Sequence, residues 1–96
     1  MTDRELLELA AKAAGIDGWW EQPYLSFIKR SGGPWSPLDD DGEALRLALH
    51  CGMRVSLRQA DADGGAIREI GDDLDDCAAT RRAIVRAAAE IGKGMQ

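Results

Sequence analysis

The sequence predicts an α+β domain with element order α-β-β-α-β-β-α, in which a small, mainly antiparallel four-stranded sheet lies between helices. Three observations carry that expectation. Apolar residues recur at helical spacing in three places, each preceded by a capping residue. Two stretches rich in β-branched and aromatic types sit between those helices, each interrupted by turn residues. The chain has 96 residues, 45% apolar and 30% charged, which suits one domain (1–96) with a single modest core.

The first helix opens on Thr2-Asp3-Arg4-Glu5, a capping box in which Thr2 accepts from a first-turn amide and Glu5 reaches back. Leu6, Leu7, Ala10, Ala13 and Ala14 form its stripe, Leu9 widens it, and Gly15 stops it. A helix over Asp3–Ala14 follows. Ile16–Glu21 and Tyr24–Lys29 then read as paired strands around a Gln22-Pro23 turn. Adjacent strand residues point to opposite faces, so burial of both Trp19 and Trp20, and of both Phe27 and Ile28, predicts a sheet covered on both sides. Exposed tryptophans would instead mark a binding surface.

Ser31-Gly32-Gly33-Pro34 is a loop that delivers Trp35 to the central run Trp35-Ser36-Pro37-Leu38-Asp39-Asp40-Asp41-Gly42-Glu43. Pro37 suits a position just ahead of a helix, and Asp39 or Asp40 is its N-cap. Asp40 and Glu43 match a second capping box, and Asp41 and Glu43 face the positive end of the helix dipole. Ala44, Leu45, Ala48 and Leu49 are expected to be buried, with Cys51 nearby and Gly52 as the stop. Met53–Gln59 alternates, with Met53, Val55 and Leu57 expected inward. Asp61–Gly65 reads as the hairpin loop, since Asp-Gly is a strong turn signal, and Ala66–Ile70 as the return strand. The acidic run Asp72–Asp76 leads into the last helix, with Asp75 or Asp76 as its cap. Cys77, Thr80, Ile84, Ala87, Ala88 and Ile91 share one stripe, with Arg82, Arg86 and Glu90 opposite and Arg86–Glu90 spaced for an ion pair.

Several function classes lose support at this level. The net charge is -5 and the pI about 4.7, which disfavours direct binding of nucleic acid. No apolar run is long enough to cross a membrane, and the charged N-terminus does not resemble a signal peptide, so the expected location is cytoplasmic. In that compartment Cys51 and Cys77 are expected as free thiols. His50 is the single histidine, and with Cys51 and Cys77 it has no metal-ligand spacing. The aspartate clusters do not follow the calcium-loop pattern, and Asp61-Ala62-Asp63-Gly64 matches only its first fragment. Gly32-Gly33-Pro34 lacks the Gly-Lys-Ser/Thr of a phosphate loop. No catalytic residue, cofactor or metal site is assigned.

The run Trp35–Ala48 resembles an Asn-Pro-Leu-x-Asp-Asp-Gly-Asp-Ala-Leu segment of small tailed-phage and prophage proteins, the phage α-β-α (ABA) sandwich domain family. Thr80-Arg81-Arg82-Ala83-Ile84-Val85-Arg86-Ala87-Ala88-Ala89-Glu90-Ile91-Gly92 is similar to the ending of the same proteins. Ser36 stands where that family usually has Asn, and Glu43 where it often has Asp. The resemblance implies a sheet between helices, a phage or prophage origin and a bacterial cytoplasm. It implies no reaction.

The expected function is that of an accessory protein that binds a host or phage protein, with Trp35, Asp39, Asp40 and Asp41 as candidate partner-binding residues. The alternative is an acidic inhibitor of a host defence or nucleic-acid enzyme, its aspartates standing in for phosphates. A small enzyme built on Asp39, Asp40 and Asp41, and a structural homodimer, are the remaining readings.

Overall fold

The computed structural model describes residues 2–62, 65–69 and 75–95, with 62, 65, 66 and 68 in backbone only. Helix α1 spans Asp3–Ala14, α2 Asp41–His50 and α3 Asp76–Lys93. Strands β1 (Gly18–Glu21), β2 (Ser26–Lys29) and β3 (Pro34–Trp35) precede α2, with a 3-10 turn at Gln22–Tyr24. Strands β4 (Arg54–Ser56), β5 (Gln59–Ala62) and β6 (Gly65–Arg68) follow it. Among the described residues, no helix is long and apolar enough to cross a membrane.

The helix ends form as local chemistry dictates. The Thr2 hydroxyl accepts from the Glu5 amide, capping α1, and donates to Glu5 Oε1, so Glu5 reaches the Thr2 side chain and not its amide. Asp40 and Asp75 accept from the amides of Glu43 and Ala78 at 3.0 and 2.6 Å, capping α2 and α3. Glu43 does not reach back to the Asp40 amide. That amide donates to the Ser36 carbonyl, and Glu43 pairs with Arg46. Gly15 ends α1 in the left-handed region at φ 70°.

The β structure is not one four-stranded sheet. It is two three-stranded antiparallel sheets, ordered β1-β2-β3 and β4-β5-β6. The first gains its third strand because Pro34-Trp35 folds back on Phe27 and Ile28. The second gains one because the Met53–Gln59 run reverses at Leu57-Arg58, with Ser56 paired to Gln59. Arg58 takes φ 58°, a conformation disfavoured for a side-chain-bearing residue. Its peptide is held by distant partners: the Thr80 hydroxyl accepts from the Arg58 amide at 2.9 Å, and the Arg58 carbonyl accepts from Glu69 at 2.8 Å. The expected Asp-Gly turn (Asp63-Gly64) and the expected strand end Ile70 lie outside the described residues, as do Asp72 and Asp73. Ala62 and Gly65 are paired across β5 and β6.

Helix α3 packs against α1, α2 and the second sheet, and the first sheet lies against α1. Burial on α3 is wider than one stripe: Ala79, Ala83, Val85 and Ala89 are buried with Ile84, Ala87 and Ala88, whereas Cys77 is exposed. Small side chains let α1 come close, and at Gly92 an added Cβ would lie 2.0 Å from the Leu9 carbonyl oxygen. The expected Arg86–Glu90 pair does not form. Arg86 instead binds the nearly buried Glu69 at 2.6 Å, and Glu90 approaches Lys93 at 3.7 Å.

The two-sided burial expected of the first sheet also fails. Trp20 packs on the core, but Trp19 is largely exposed and donates its indole N–H to Glu21. Phe27 is buried and meets Trp35 edge to face, ring centroids 5.7 Å apart. That geometry adds about 0.5–1.5 kcal/mol to the burial of the two rings.

Candidate docking groove

Helix α2 has apolar residues at 44, 45, 47, 48 and 49, a set that spans roughly 200° of its circumference at about 100° per residue. One packed face cannot cover that much. Ala44, Leu47 and Ala48 turn into the core, whereas Leu45 and Leu49 remain 57% and 71% exposed. The expectation that Leu45 and Leu49 are buried is thereby corrected, and Leu47 takes their place. Val55 and Leu57, expected inward, are likewise exposed, at 41% and 65%, because the reversal at Leu57-Arg58 lifts this hairpin edge away from the core.

Three of these residues meet. Leu45, Val55 and Leu57 line a groove of about 370 Å³ whose floor is the buried pair Ala44 and Ile84. Cys77, Thr80 and Arg81 close it from the first turns of α3. The lining is dominated by carbon, and its ionisable side chains are Asp41, Asp76, Arg81 and Cys77.

The rim is set by charge. Arg81, mostly buried, donates from Nη1 to Asp41 at 2.6 Å and from Nε to the Leu38 carbonyl at 2.8 Å. It ties the start of α2 to α3. The hydrogen bond to Asp41 raises the Arg81 pKa above its ordinary value, which burial opposes and the charges of Asp41 and Asp75 reinforce. Arg81 is therefore a permanent cation. Arg58 donates from Nε to Asp76 at 2.9 Å across the other end. Asp39, Asp40, Asp41, Asp75 and Asp76 are all exposed around these two helix starts.

The candidate residues separate into two groups. Trp35 is 2% exposed, packed on Phe27 and absent from the lining of this groove, so it is a core residue and not part of the docking surface. This corrects its assignment as a partner-binding residue. Asp40 is the α2 cap, Asp39 is exposed beside it, and Asp41 stands on the groove rim. Asp41 also has a structural duty, because it holds Arg81. The groove-lining Leu45, Val55 and Leu57 were missed as surface residues. The signal available was the over-wide apolar arc of α2.

Both cysteines are free thiols. Burial pushes the Cys51 thiol pKa up. No cluster of three or more His, Cys, Asp or Glu side chains is arranged to hold a metal among the described residues. Comparison with protein families, curated proteins and solved structures returned no match for this chain.

Proposed function

We propose that this chain is a small phage or prophage accessory protein that acts without catalysis by binding a host or phage protein. Its docking surface is the groove between α2, the β4–β5 hairpin and α3. The occupant is a segment of the partner with an apolar anchor flanked by basic residues. The observation that carries this reading is the contiguous exposure of Leu45, Val55 and Leu57 over the apolar floor of Ala44 and Ile84. Scattered exposed apolar residues are ordinary, but a concave set with a common floor marks a binding surface. Charge selects the partner's flanks. Five exposed aspartates surround the groove ends against Arg58 and Arg81, on a chain of net charge -5. Such a mouth favours a basic segment and repels an acidic one. The phage origin rests on the resemblance of the Trp35–Ala48 and Thr80–Gly92 runs. The phosphate-mimic alternative has less support, because Asp40 and Asp75 are engaged as caps and Asp41 and Asp76 as ion-pair partners.

The test compares tagged wild type, Leu57→Asp and Leu25→Asp in affinity capture from bacterial lysate. Leu25 is also exposed but lies at the β1–β2 turn, away from the groove. The proposal expects a stoichiometric protein held by wild type and Leu25→Asp, lost with Leu57→Asp, and weakened by salt. Capture that ignores Leu57→Asp, or no capture, overturns it. A wild-type dimer in light scattering that Leu57→Asp dissolves would make the occupant a second copy and also overturn it.

A further inference from the structure

The opposite flank of α2 carries a different kind of cleft. Glu43, Arg46, Leu47 and His50 follow one another at spacings of three, one and three, so they share one face of the helix. That face looks toward Ala14 and Ile16 at the end of α1 and Lys29 at the end of β2, enclosing about 390 Å³ with Trp35 at its base. The inner lining is apolar: Ala14, Ile16, Leu47 and Trp35. The outer lining is cationic or N–H donating: Lys29, Arg46 and His50.

Seven arginines and Lys93 are within ion-pair distance of a carboxylate. Lys29, like Lys12 and Arg54, has no such partner among the described residues, and of these three it alone lines the cleft. Its neighbour Arg30, by contrast, binds Asp17 at 2.5 Å. In the cleft the one carboxylate, Glu43, meets a single nitrogen of Arg46 at 3.3 Å. This leaves other guanidinium N–H groups of Arg46, together with the ammonium of Lys29, for an incoming acceptor. Imidazole offers an N–H donor in either protonation state.

We infer that this cleft binds a small organic anion, a carboxylate or phosphate carried on a compact apolar group. The oxyanion is held by Lys29 and Arg46 with His50 beside them, and the apolar body lies against Ala14 and Ile16, over the buried Leu47 and Trp35. The volume sits near the low end of small-molecule sites, which run from about 300 to 1,000 Å³, so it fits one ring or a short chain. This site is independent of the docking groove, since the two lie on opposite flanks of α2 and share no lining residue.

The experiment is a titration of the ¹⁵N-labelled protein followed by NMR, with phenyl phosphate, benzoate and inorganic phosphate as separate probes. Saturable shifts at the amides of Lys29, Arg46 and His50 and at the Trp35 indole are expected for at least one of the two aromatic anions. Inorganic phosphate should bind roughly tenfold more weakly than the best aromatic anion. Lys29→Ala should weaken that binding by roughly tenfold, Lys29→Arg should restore most of it, and Arg54→Ala, a cation outside the cleft, should leave it unchanged. The amide spectrum of each variant reports whether it is folded. Absence of saturable shifts overturns the proposal. So does equal binding by Lys29→Ala, or inorganic phosphate binding as tightly as the aromatic anions. Loss of binding in Arg54→Ala would show general electrostatics and would overturn it as well.

Discussion

Substituting Gly92 by alanine should destabilise the domain, although alanine is the better helix former. A Cβ at Gly92 would stand 2.0 Å from the Leu9 carbonyl oxygen, 2.8 Å from its carbonyl carbon and 3.3 Å from its Cα. Non-bonded heavy atoms rest at roughly 3.5 Å, so α1 and α3 must separate by more than an ångström at this point. The obstacle is backbone and cannot rotate aside. Separation would loosen the packing of Ala10, Ala11, Ala87 and Ala88, all buried. Overpacking of this kind costs about 1–3 kcal/mol, and the helix-propensity gain returns about 1 kcal/mol or less in a rigid helix interior. Backbone contact this short places the cost at the upper end, for a net loss of about 2 kcal/mol. In a domain of this length each kcal/mol moves the midpoint by about 4–8 °C, so Tm should fall by roughly 10 °C. Gly94 provides the control. It has no left-handed φ, and its nearest neighbour, the Ile91 carbonyl oxygen, is 3.6 Å from an added Cβ. Gly94→Ala should leave Tm within about 2 °C of wild type. Thermal unfolding followed by circular dichroism measures both. A Gly92→Ala protein as stable as wild type would refute the close approach of α1 and α3.

Arg81→Gln should cost about 1–2 kcal/mol, read as a lower urea midpoint, because it leaves the Leu38 carbonyl and the Asp41 carboxylate without their shared donor. Asp41→Asn should cost less than about 1 kcal/mol, since the Asp41 carboxylate is 73% exposed and already hydrated. Equal losses in the two variants would show that the Leu38 contact contributes nothing. Cys77 should react with iodoacetamide before Cys51, as Cys77 is exposed while burial raises the Cys51 thiol pKa. Raising the pH should therefore speed Cys51 labelling only at more alkaline values, where its thiolate begins to form. Mass spectrometry of timed samples measures the order, and faster labelling of Cys51 would contradict the burial.

The helices were legible because their determinants are local. Thr2, Asp40 and Asp75 sit one residue before their helices and accept from amides three residues on, so composition within a single turn decides the boundary. The first hairpin was legible for the same reason, through Gln22-Pro23 and its aromatic flanks. Sheet membership was not. Met53–Gln59 alternates without a break, and nothing near Leu57-Arg58 announces a turn. The partners that hold the turn, Thr80 and Glu69, come from distant positions in the chain. The same limit hid the docking groove and the fate of Trp35, whose burial depends on Phe27 from another strand.

Sequence alone therefore determined the order of the three helices and of the two β segments between them, where the helices start, and the acidic balance. Each rests on residue types within a few positions of one another, or on a simple count. Tertiary structure decided which apolar residues were left over. An apolar side chain is equally suited to a core and to a docking surface, and only the packing of sequence-distant elements around α2 and the β4–β5 hairpin separates Leu47, which is buried, from Leu45 and Leu57, which remain in contact with solvent.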